Sequence, residues 1–170
     1  PEVKVDPLIE FIGEVVPHLF PVEMSRTDFL DELRVDGARI LENLPTLTGF
    51  LAKDVDYTGF CHANLNLDNA WFWRDEDGEL QAGLIDWGSA SQMSIGQAFQ
   101  GMLFAADPFG SLALRRELVG LFVREYRRES GMRLDPEALL LRAKLASMTS
   151  LPMPLMWSVS ALNERLAMAM

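Results

Sequence analysis

Residues 59–72 read Gly59-Phe60-Cys61-His62-Ala63-Asn64-Leu65-Asn66-Leu67-Asp68-Asn69-Ala70-Trp71-Phe72. Phe60 and Cys61 predict a short buried strand, and a polar loop follows this strand from His62 to Asn69. The run from Ala70 to Arg74 is again rich in strand-forming residues. The order strand, polar loop, strand is the pattern of a site whose side chains are held at strand ends.

A second strand-forming run follows at Leu80-Gln81-Ala82-Gly83-Leu84-Ile85. Between the two runs lies Asp75-Glu76-Asp77-Gly78, which contains the Asp-Gly signal of a tight turn, so the pair predicts a β-hairpin. Asn69 precedes the hairpin and Asp86 follows it. The hairpin is therefore expected to bring these two side chains close together, although 17 positions separate them in the sequence.

The loop after the hairpin reads Gly83-Leu84-Ile85-Asp86-Trp87-Gly88-Ser89-Ala90. Together the two loops resemble the catalytic and metal-binding loops of the aminoglycoside phosphotransferase and choline kinase group. Those loops read roughly H-G-D-x-x-x-x-N and I-D-W-[GED]-x-A. The matching residues are His62, Asn69, Ile85, Asp86, Trp87 and Ala90. At the position of the family's catalytic Asp, this chain has Asn64.

The resemblance implies transfer of a phosphoryl group from ATP or GTP to a hydroxyl of a small molecule. It assigns Asn69 and Asp86 to a Mg²⁺ ion beside the nucleotide, in keeping with the preference of Mg²⁺ for oxygen ligands. It also implies that His62 orients the catalytic loop through hydrogen bonds, without transferring protons. Asn64 would occupy the catalytic position itself.

Asn64 argues against full activity. Asparagine has the shape of aspartate and can hold a substrate hydroxyl, but it cannot accept the proton. Loss of a general base costs about 10²–10⁴ in rate. Because the transition state of phosphoryl transfer is loose, positioning alone can sustain residual activity. Asp68 is a nearby carboxylate that could replace the missing base, although its position before Asn69 is typical of a solvated loop residue.

Three kinds of function fit these observations. The first is a small-molecule phosphotransferase impaired by Asn64. The second is an inactive, pseudokinase-like domain that binds or regulates; Asn64 favours it, whereas a pure scaffold has no physical need for both Asn69 and Asp86. The third is a structural lobe whose helical surface docks a partner. We interpret the chain as derived from small-molecule phosphotransferases, and we leave open whether it is active now.

Composition limits the partners and the location. The net charge of −10 disfavours nucleic acid and anionic membranes and favours a cationic acceptor. No apolar run is long enough to span a bilayer and no secretory signal is visible. The only cysteine, Cys61, excludes an intrachain disulfide and suits a cytoplasmic protein. We interpret Cys61 as a small buried hydrophobe. Trp71, Trp73 and Trp87 are interpreted as packing the hairpin against helices, in preference to stacking on a substrate.

The remainder of the sequence predicts helices, so the expected fold class is α+β and mostly helical. One helix starts with Asp6 as N-cap, and a second runs from about residue 25 until Pro45 ends or kinks it. Further helices are expected at 47–53, 95–106 and 112–130, the last capped by Gly131. Another follows Asp135 and Pro136. After an interruption at 151–154, a last helix is expected at 155–168.

Two features of the nucleotide-binding half of the resembled fold are not found in the sequence. There is no Gly-rich phosphate loop and no lysine on a V-A-I-K strand; the lysines are Lys4, Lys53 and Lys144. In the resembled family both features belong to an N-terminal lobe. We therefore expect residues 1–170 to form a single domain, the C-terminal lobe of a protein-kinase-like fold. Such a lobe would pair with an N-terminal lobe or with a second copy.

Overall fold

The computed structural model describes residues 5–106 and 112–150 of the chain. Within them the protein is α+β and mostly helical, as predicted. The helices are α1 (Asp6–Glu10), α2 (Thr27–Lys53), α3 (Ile95–Ala106), α4 (Leu112–Ser130) and α5 (Pro136–Thr149). The strands are β1 (Thr58–Cys61), β2 (Ala70–Arg74), β3 (Leu80–Leu84) and β4 (Ser91–Ser94). No helix in this part of the chain is both long enough and apolar enough to cross a membrane.

The chain divides into two compact units, and the first contains residues 5–47 and 148–150 of the described chain. Here α1 continues into a π-helical turn, Phe11–Val15, and Phe11 packs edge-on against Phe20. The predicted N-cap is wrong by one residue, because Val5 holds that position and Asp6 is already helical. The Asp6 carboxylate instead accepts a hydrogen bond from Arg34 Nε at 3.0 Å.

Helix α2 differs from its prediction. Residues 47–53 do not form a separate helix, because α2 continues through Pro45 to Lys53. Proline removes one backbone donor and strains the turn before it. The helix nevertheless continues on both sides of Pro45. The Pro45 ring also lies on an exposed part of the helix, where it displaces no core side chain.

The second unit, residues 48–147, holds two separate two-stranded antiparallel sheets. Strands β2 and β3 form the predicted hairpin, in which Ala70 pairs with Leu84. Its turn is held by Asp75, whose carboxylate accepts the backbone N–H of Glu79 at 2.9 Å, and Gly78 takes the positive φ of +82° that the turn requires.

Strand β4 was not predicted. The sequence of residues 91–94 is polar, and the next element predicted after Ala90 was the helix at 95–106. Instead β4 pairs antiparallel with β1, so that Thr58 faces Ser94 and Cys61 faces Ser91. The pairing satisfies backbone groups of β1 that would otherwise need another partner, and this requirement outweighs the weak strand propensity of β4.

The predicted caps of α4 and α5 are confirmed. Gly131 has φ +75°, and its N–H donates to the Arg127 carbonyl at 2.9 Å, as expected of a glycine that ends a helix. The Asp135 carboxylate accepts the N–H of Glu137 at 3.0 Å at the start of α5. The expected interruption at 151–154 and the helix at 155–168 lie outside the described residues.

Helices α3, α4 and α5 enclose the main core of the second unit. Its buried members are Ile95, Phe99, Leu103, Val119, Leu134, Leu139, Leu140 and Ala143. Gly96 lies where α3 comes close to the backbone of α5, since a Cβ there would lie 2.8 Å from the Arg142 carbonyl carbon. Only glycine fits this contact without a shift of backbone.

A buried arginine ties α5 to the segment that leads into β1. The Arg142 guanidinium lies 3.8 Å from the centre of the Tyr57 ring and 5.1 Å from that of Phe50. It also donates to the Asp54 carboxylate. The Tyr57 hydroxyl in turn accepts the N–H of Asp135 at 2.9 Å. We call Arg142, Phe50, Asp54 and Tyr57 the Arg142 cluster; nothing in the sequence analysis indicated it.

Candidate functional site

His62 joins the two loops that the motifs define. Its side chain is 4% exposed, and its Nε2 lies 2.8 Å from the Ile85 carbonyl oxygen, which precedes Asp86. Its Nδ1 accepts the backbone N–H of Asn64 at 3.1 Å. One buried ring therefore holds the loop after β1 and the loop after β3 at the same time.

These two bonds define the proton position on the ring. Because Nδ1 accepts a hydrogen bond from the Asn64 N–H, it carries no proton there. The proton must then sit on Nε2, which donates it to the Ile85 carbonyl. This is the neutral tautomer, and both ring nitrogens are engaged. The geometry agrees with an orienting role for His62.

The Asn64 peptide is held from both sides. Its N–H bonds to His62, and its carbonyl oxygen accepts Nδ2 of Asn69 at 3.0 Å. The Asn64 side chain is exposed while its main chain is fixed. Asp68 is also exposed, as expected of a solvated loop residue. We call His62, Asn64, Asn69, Ile85 and Trp87 the His62 cluster.

Asn69 links the loops through its main chain as well. Its side chain is 7% exposed, and its carbonyl oxygen accepts the N–H of Ile85 at 3.0 Å. Because Nδ2 is used by the Asn64 carbonyl, the amide oxygen is the end of the side chain that can serve a cation. The bond to Ile85 places Asn69 beside the residue that immediately precedes Asp86.

Asp86 adopts an unusual backbone conformation. With φ 59° and ψ 56° it lies in the left-handed region, the one non-glycine residue of the described chain with positive φ. Aspartate enters this region more readily than most residues, and such strain concentrates at functional sites. Its carboxylate is exposed and folds toward the turn that follows, since a Cβ on Gly88 would lie 3.6 Å from Oδ1.

The donor set fits the metal that the resemblance implies. Mg²⁺ takes hard oxygen ligands, usually one or two from protein carboxylates, and completes its shell with water and phosphate. The Asp86 carboxylate and the Asn69 amide oxygen are ligands of this type, carried on two loops that are hydrogen-bonded to each other. No group of three or more His, Cys, Asp or Glu side chains suited to a metal occurs among residues 5–106 and 112–150. The convergence of Asn69 and Asp86 oxygens on one point stays a prediction.

The tryptophans differ from their expected packing role. Trp71 is 64% exposed on the hairpin, so it does not pack there against helices. Trp73 covers Gly83 across the hairpin, where a Cβ would lie 3.3 Å from its ring. Trp87 is half exposed and makes two contacts that the sequence did not indicate. Its indole packs edge-on against His62 with ring centres 5.0 Å apart, and Nε1 donates to the Leu84 carbonyl at 3.0 Å.

An apolar cavity of about 310 Å³ opens beside the His62 cluster. Its wall comes from β1, the loop at His62 and Leu65, Leu84, Trp87, and the facing sides of α3 and α4. Cys61 lies in this wall, half-buried, and burial raises the pKa of its thiol. Sequence reasoning missed the cavity, because the helices that complete it lie more than 30 residues downstream of β1.

Comparison with known proteins finds no matching protein-family model, no matching curated protein and no matching solved structure. The resemblance to phosphotransferases therefore depends on the motif residues themselves. The hairpin between them predicted that Asn69 and Asp86 lie close together. The hydrogen bond from the Ile85 N–H to the Asn69 carbonyl joins Asn69 to the residue before Asp86.

Proposed function

We propose that the chain is a kinase-like small-molecule phosphotransferase relative, corresponding to the C-terminal lobe of that fold. The reaction would move a phosphoryl group from Mg²⁺-bound ATP or GTP to a hydroxyl, at a rate reduced by Asn64. The single observation that carries the proposal is the bridge made by His62. It joins the Asn64 loop to the Asp86 loop through two hydrogen bonds, with Trp87 packed against the ring.

Each residue has a distinct role in this proposal. Asn69 and Asp86 would hold the Mg²⁺ ion, which neutralises charge on the nucleotide phosphates when bound. Asn64 would accept a hydrogen bond from the acceptor hydroxyl and align it, but the proton would have to leave to solvent or phosphate. His62 is a positioning residue, because both of its ring nitrogens are occupied by backbone groups.

The proposal extends to partners and location. The acidic net charge supports a small-molecule acceptor rather than nucleic acid or an anionic membrane. Trp71, Phe72 and Leu80 of the hairpin are each more than half exposed, which supports contact with an N-terminal lobe or a second copy of the chain. A cytoplasmic location completes the proposal.

A second candidate is a pseudokinase-like domain that binds metal and nucleotide without turnover. Asn64 favours it, because an amide at this position removes the proton acceptor while leaving the loop geometry intact. The two candidates share the metal site and differ only in chemistry. A binding measurement therefore tests what they have in common, and a turnover measurement separates them.

The common test is thermal unfolding with Mg²⁺, with ATP, and with both. If Asn69 and Asp86 hold the metal, Mg²⁺ and ATP together should stabilise the protein by about 2.7 kcal/mol at 100 times the dissociation constant. Asp86→Asn should abolish this stabilisation. Asp77→Asn is the matched control, since Asp77 is an exposed loop acid in the hairpin turn. Equal responses of the two variants, or none in the unaltered chain, would refute the metal site.

A further inference from the structure

We infer that the cavity beside the His62 cluster binds the uncharged, apolar body of the acceptor molecule. The identification of the ligand as an acceptor rests on the proposed function. The cavity as a binding site for an apolar molecule does not, because it is defined by its own walls. The inference replaces the cationic acceptor favoured by net charge with a neutral one.

The lining decides the chemistry of the ligand. Five aromatic rings line the cavity: Phe60, Trp87, Phe99, Phe122 and Tyr126. Aliphatic side chains from β3, α3 and the catalytic loop supply most of the remainder, and none of the lining residues is Asp, Glu, Lys or Arg. A primary ammonium or a carboxylate placed there would lose its hydration without gaining an opposite charge. An apolar group loses no such interaction.

The position of the cavity decides which part of the ligand enters it. His62 and Leu65 are both in the wall, and Asn64 lies between them on the same loop. The Asn64 side chain is exposed while its peptide is fixed on both sides. A molecule whose apolar body fills the cavity can therefore direct a terminal hydroxyl toward this loop.

The volume limits the size of the body. At roughly 30 Å³ for each non-hydrogen atom, by analogy with liquid water, 310 Å³ holds about ten such atoms. This matches one aromatic ring with a short chain, and it is at the small end of ligand pockets. A substituted aryl or short aliphatic alcohol fits, whereas an oligosaccharide of several rings does not.

Cys61 provides a direct reporter. It is the only cysteine of the chain and forms part of the cavity wall, so labelling of the thiol reads out access to this one place. Burial raises the pKa of the thiol, which keeps its spontaneous reaction slow enough to time. A ligand in the cavity should shield it.

The experiment measures the rate at which N-ethylmaleimide labels Cys61 in the full chain, with 2-phenylethanol, choline or glycerol present. At ten times its dissociation constant, 2-phenylethanol should slow labelling about tenfold, since the fraction of free protein is 1/(1 + [L]/Kd). Glycerol should have no effect. Protection by choline but not by 2-phenylethanol would overturn the neutral ligand in favour of a cation held by aromatic rings. Protection by neither would overturn the cavity as a site.

A pair of glycine variants shows whether protection arises in the cavity. Gly59 lines it, and a Cβ there would lie 3.9 Å from Cys61 Sγ and Ile95 Cγ1, so larger side chains can enter the space. Gly59→Leu should remove protection by 2-phenylethanol, and ligand-observed NMR should show the same loss. Gly120→Leu, on an open part of α4, should leave protection unchanged. If Gly59→Leu fails to fold, the smaller Gly59→Ala should still weaken protection.

The labelling experiment contains neither nucleotide nor Mg²⁺, so its outcome is independent of the unfolding test with Mg²⁺ and ATP. If 2-phenylethanol protects Cys61 but Mg²⁺ and ATP do not stabilise the protein, the cavity stands as a binding site and the phosphotransferase interpretation is wrong. Stabilisation without protection would keep the metal site and remove the apolar acceptor. Loss of protection in both Gly59→Leu and Gly120→Leu would place the ligand elsewhere and overturn the inference.

Discussion

The Arg142 cluster and the His62 cluster both use buried polar side chains of the second unit, but they distribute their partners differently. Arg142 is surrounded by side chains, with two aromatic rings and a carboxylate in contact. His62 is bonded to backbone groups of two loops, and the side chains those loops carry, Asn64 and Asp86, stay exposed. The first arrangement directs its charged groups at side chains that hold the fold, although Arg142 Nε is buried without a hydrogen-bond partner. The His62 cluster fixes the main chain of its two loops and leaves the side chains of Asn64 and Asp86 facing solvent.

The largest effect is expected at Arg142. Arg142→Met should lower the free energy of unfolding by roughly 2–4 kcal/mol, because it removes the ring contacts and leaves Asp54 unpaired. This loss of stability is toward the lower end of that expected when a buried ion pair is broken, because the Asp54 side chain is 37% exposed. Urea denaturation measures it. Arg116→Met, which breaks an exposed pair with Glu137, should change stability by less than about 0.5 kcal/mol.

If the two arginine variants lose equal stability, the Arg142 cluster is no more structural than a surface pair. The proposed contrast between a cluster that holds the fold and a cluster that leaves side chains exposed would then be wrong for Arg142. Equal losses of stability with unchanged Mg²⁺–ATP response would still leave the site proposal standing.

The next effect concerns Gly96, where α3 meets Arg142. Gly96→Ala should destabilise by about 2–3 kcal/mol, because the new Cβ would lie 2.5 Å from Arg142 Cβ and close to its backbone. Gly120→Ala, also a helical glycine, has nothing within 4 Å of its added Cβ and should stabilise by about 0.4–1 kcal/mol. Thermal unfolding of the pair gives opposite signs. Two shifts of the same sign would contradict the close packing of α3 on α5.

A somewhat smaller effect on stability is expected at His62, together with a functional one. His62→Ala should cost about 2 kcal/mol, since the Asn64 N–H and the Ile85 carbonyl both lose their partner. It should also abolish stabilisation by Mg²⁺–ATP, because the two loops are no longer held together. The chain's other histidine, His18, is exposed, and His18→Ala serves as the control. Retention of the Mg²⁺–ATP response in His62→Ala would show that the bridge is structural only.

The smallest effect is expected at Asn64. Asn64→Asp should raise ATP turnover with an alcohol acceptor at least about tenfold, a cautious value for a restored general base. A tenfold rate change corresponds to about 1.4 kcal/mol. The added carboxylate should slightly destabilise the metal-free protein, and Mg²⁺ should reverse that loss. Turnover should be measured in the longest natural form that contains this chain.

Asn66→Asp is the matched control for that prediction, since it adds the same charge two residues further along the loop. It should leave turnover unchanged. If turnover and Mg²⁺-dependent stability stay flat in Asn64→Asp, the site no longer supports catalysis. The pseudokinase-like interpretation would then replace the enzyme.

The two clusters also differ in how well the sequence predicted them. The hairpin and its flanking loops follow from local signals, namely the Asp-Gly turn, the strand-forming runs and the spacing of His62 to Asn69. The Arg142 cluster joins Asp54 to a residue 88 positions away and has no periodic pattern to indicate it. Strand β4 was missed for a related reason, because it forms by pairing with β1 and has little strand propensity of its own.

The open hairpin has a consequence for the behaviour of the purified protein. Strands β2 and β3 pair only with each other within the described chain, so each leaves one edge of backbone donors and acceptors without a neighbouring strand. Trp71 and Phe72 point to opposite faces of this ribbon, and both are exposed. A ribbon with free edges and apolar faces is a template for intermolecular strand addition. The protein should therefore self-associate more strongly as its concentration rises, and Phe72→Lys should reduce this association.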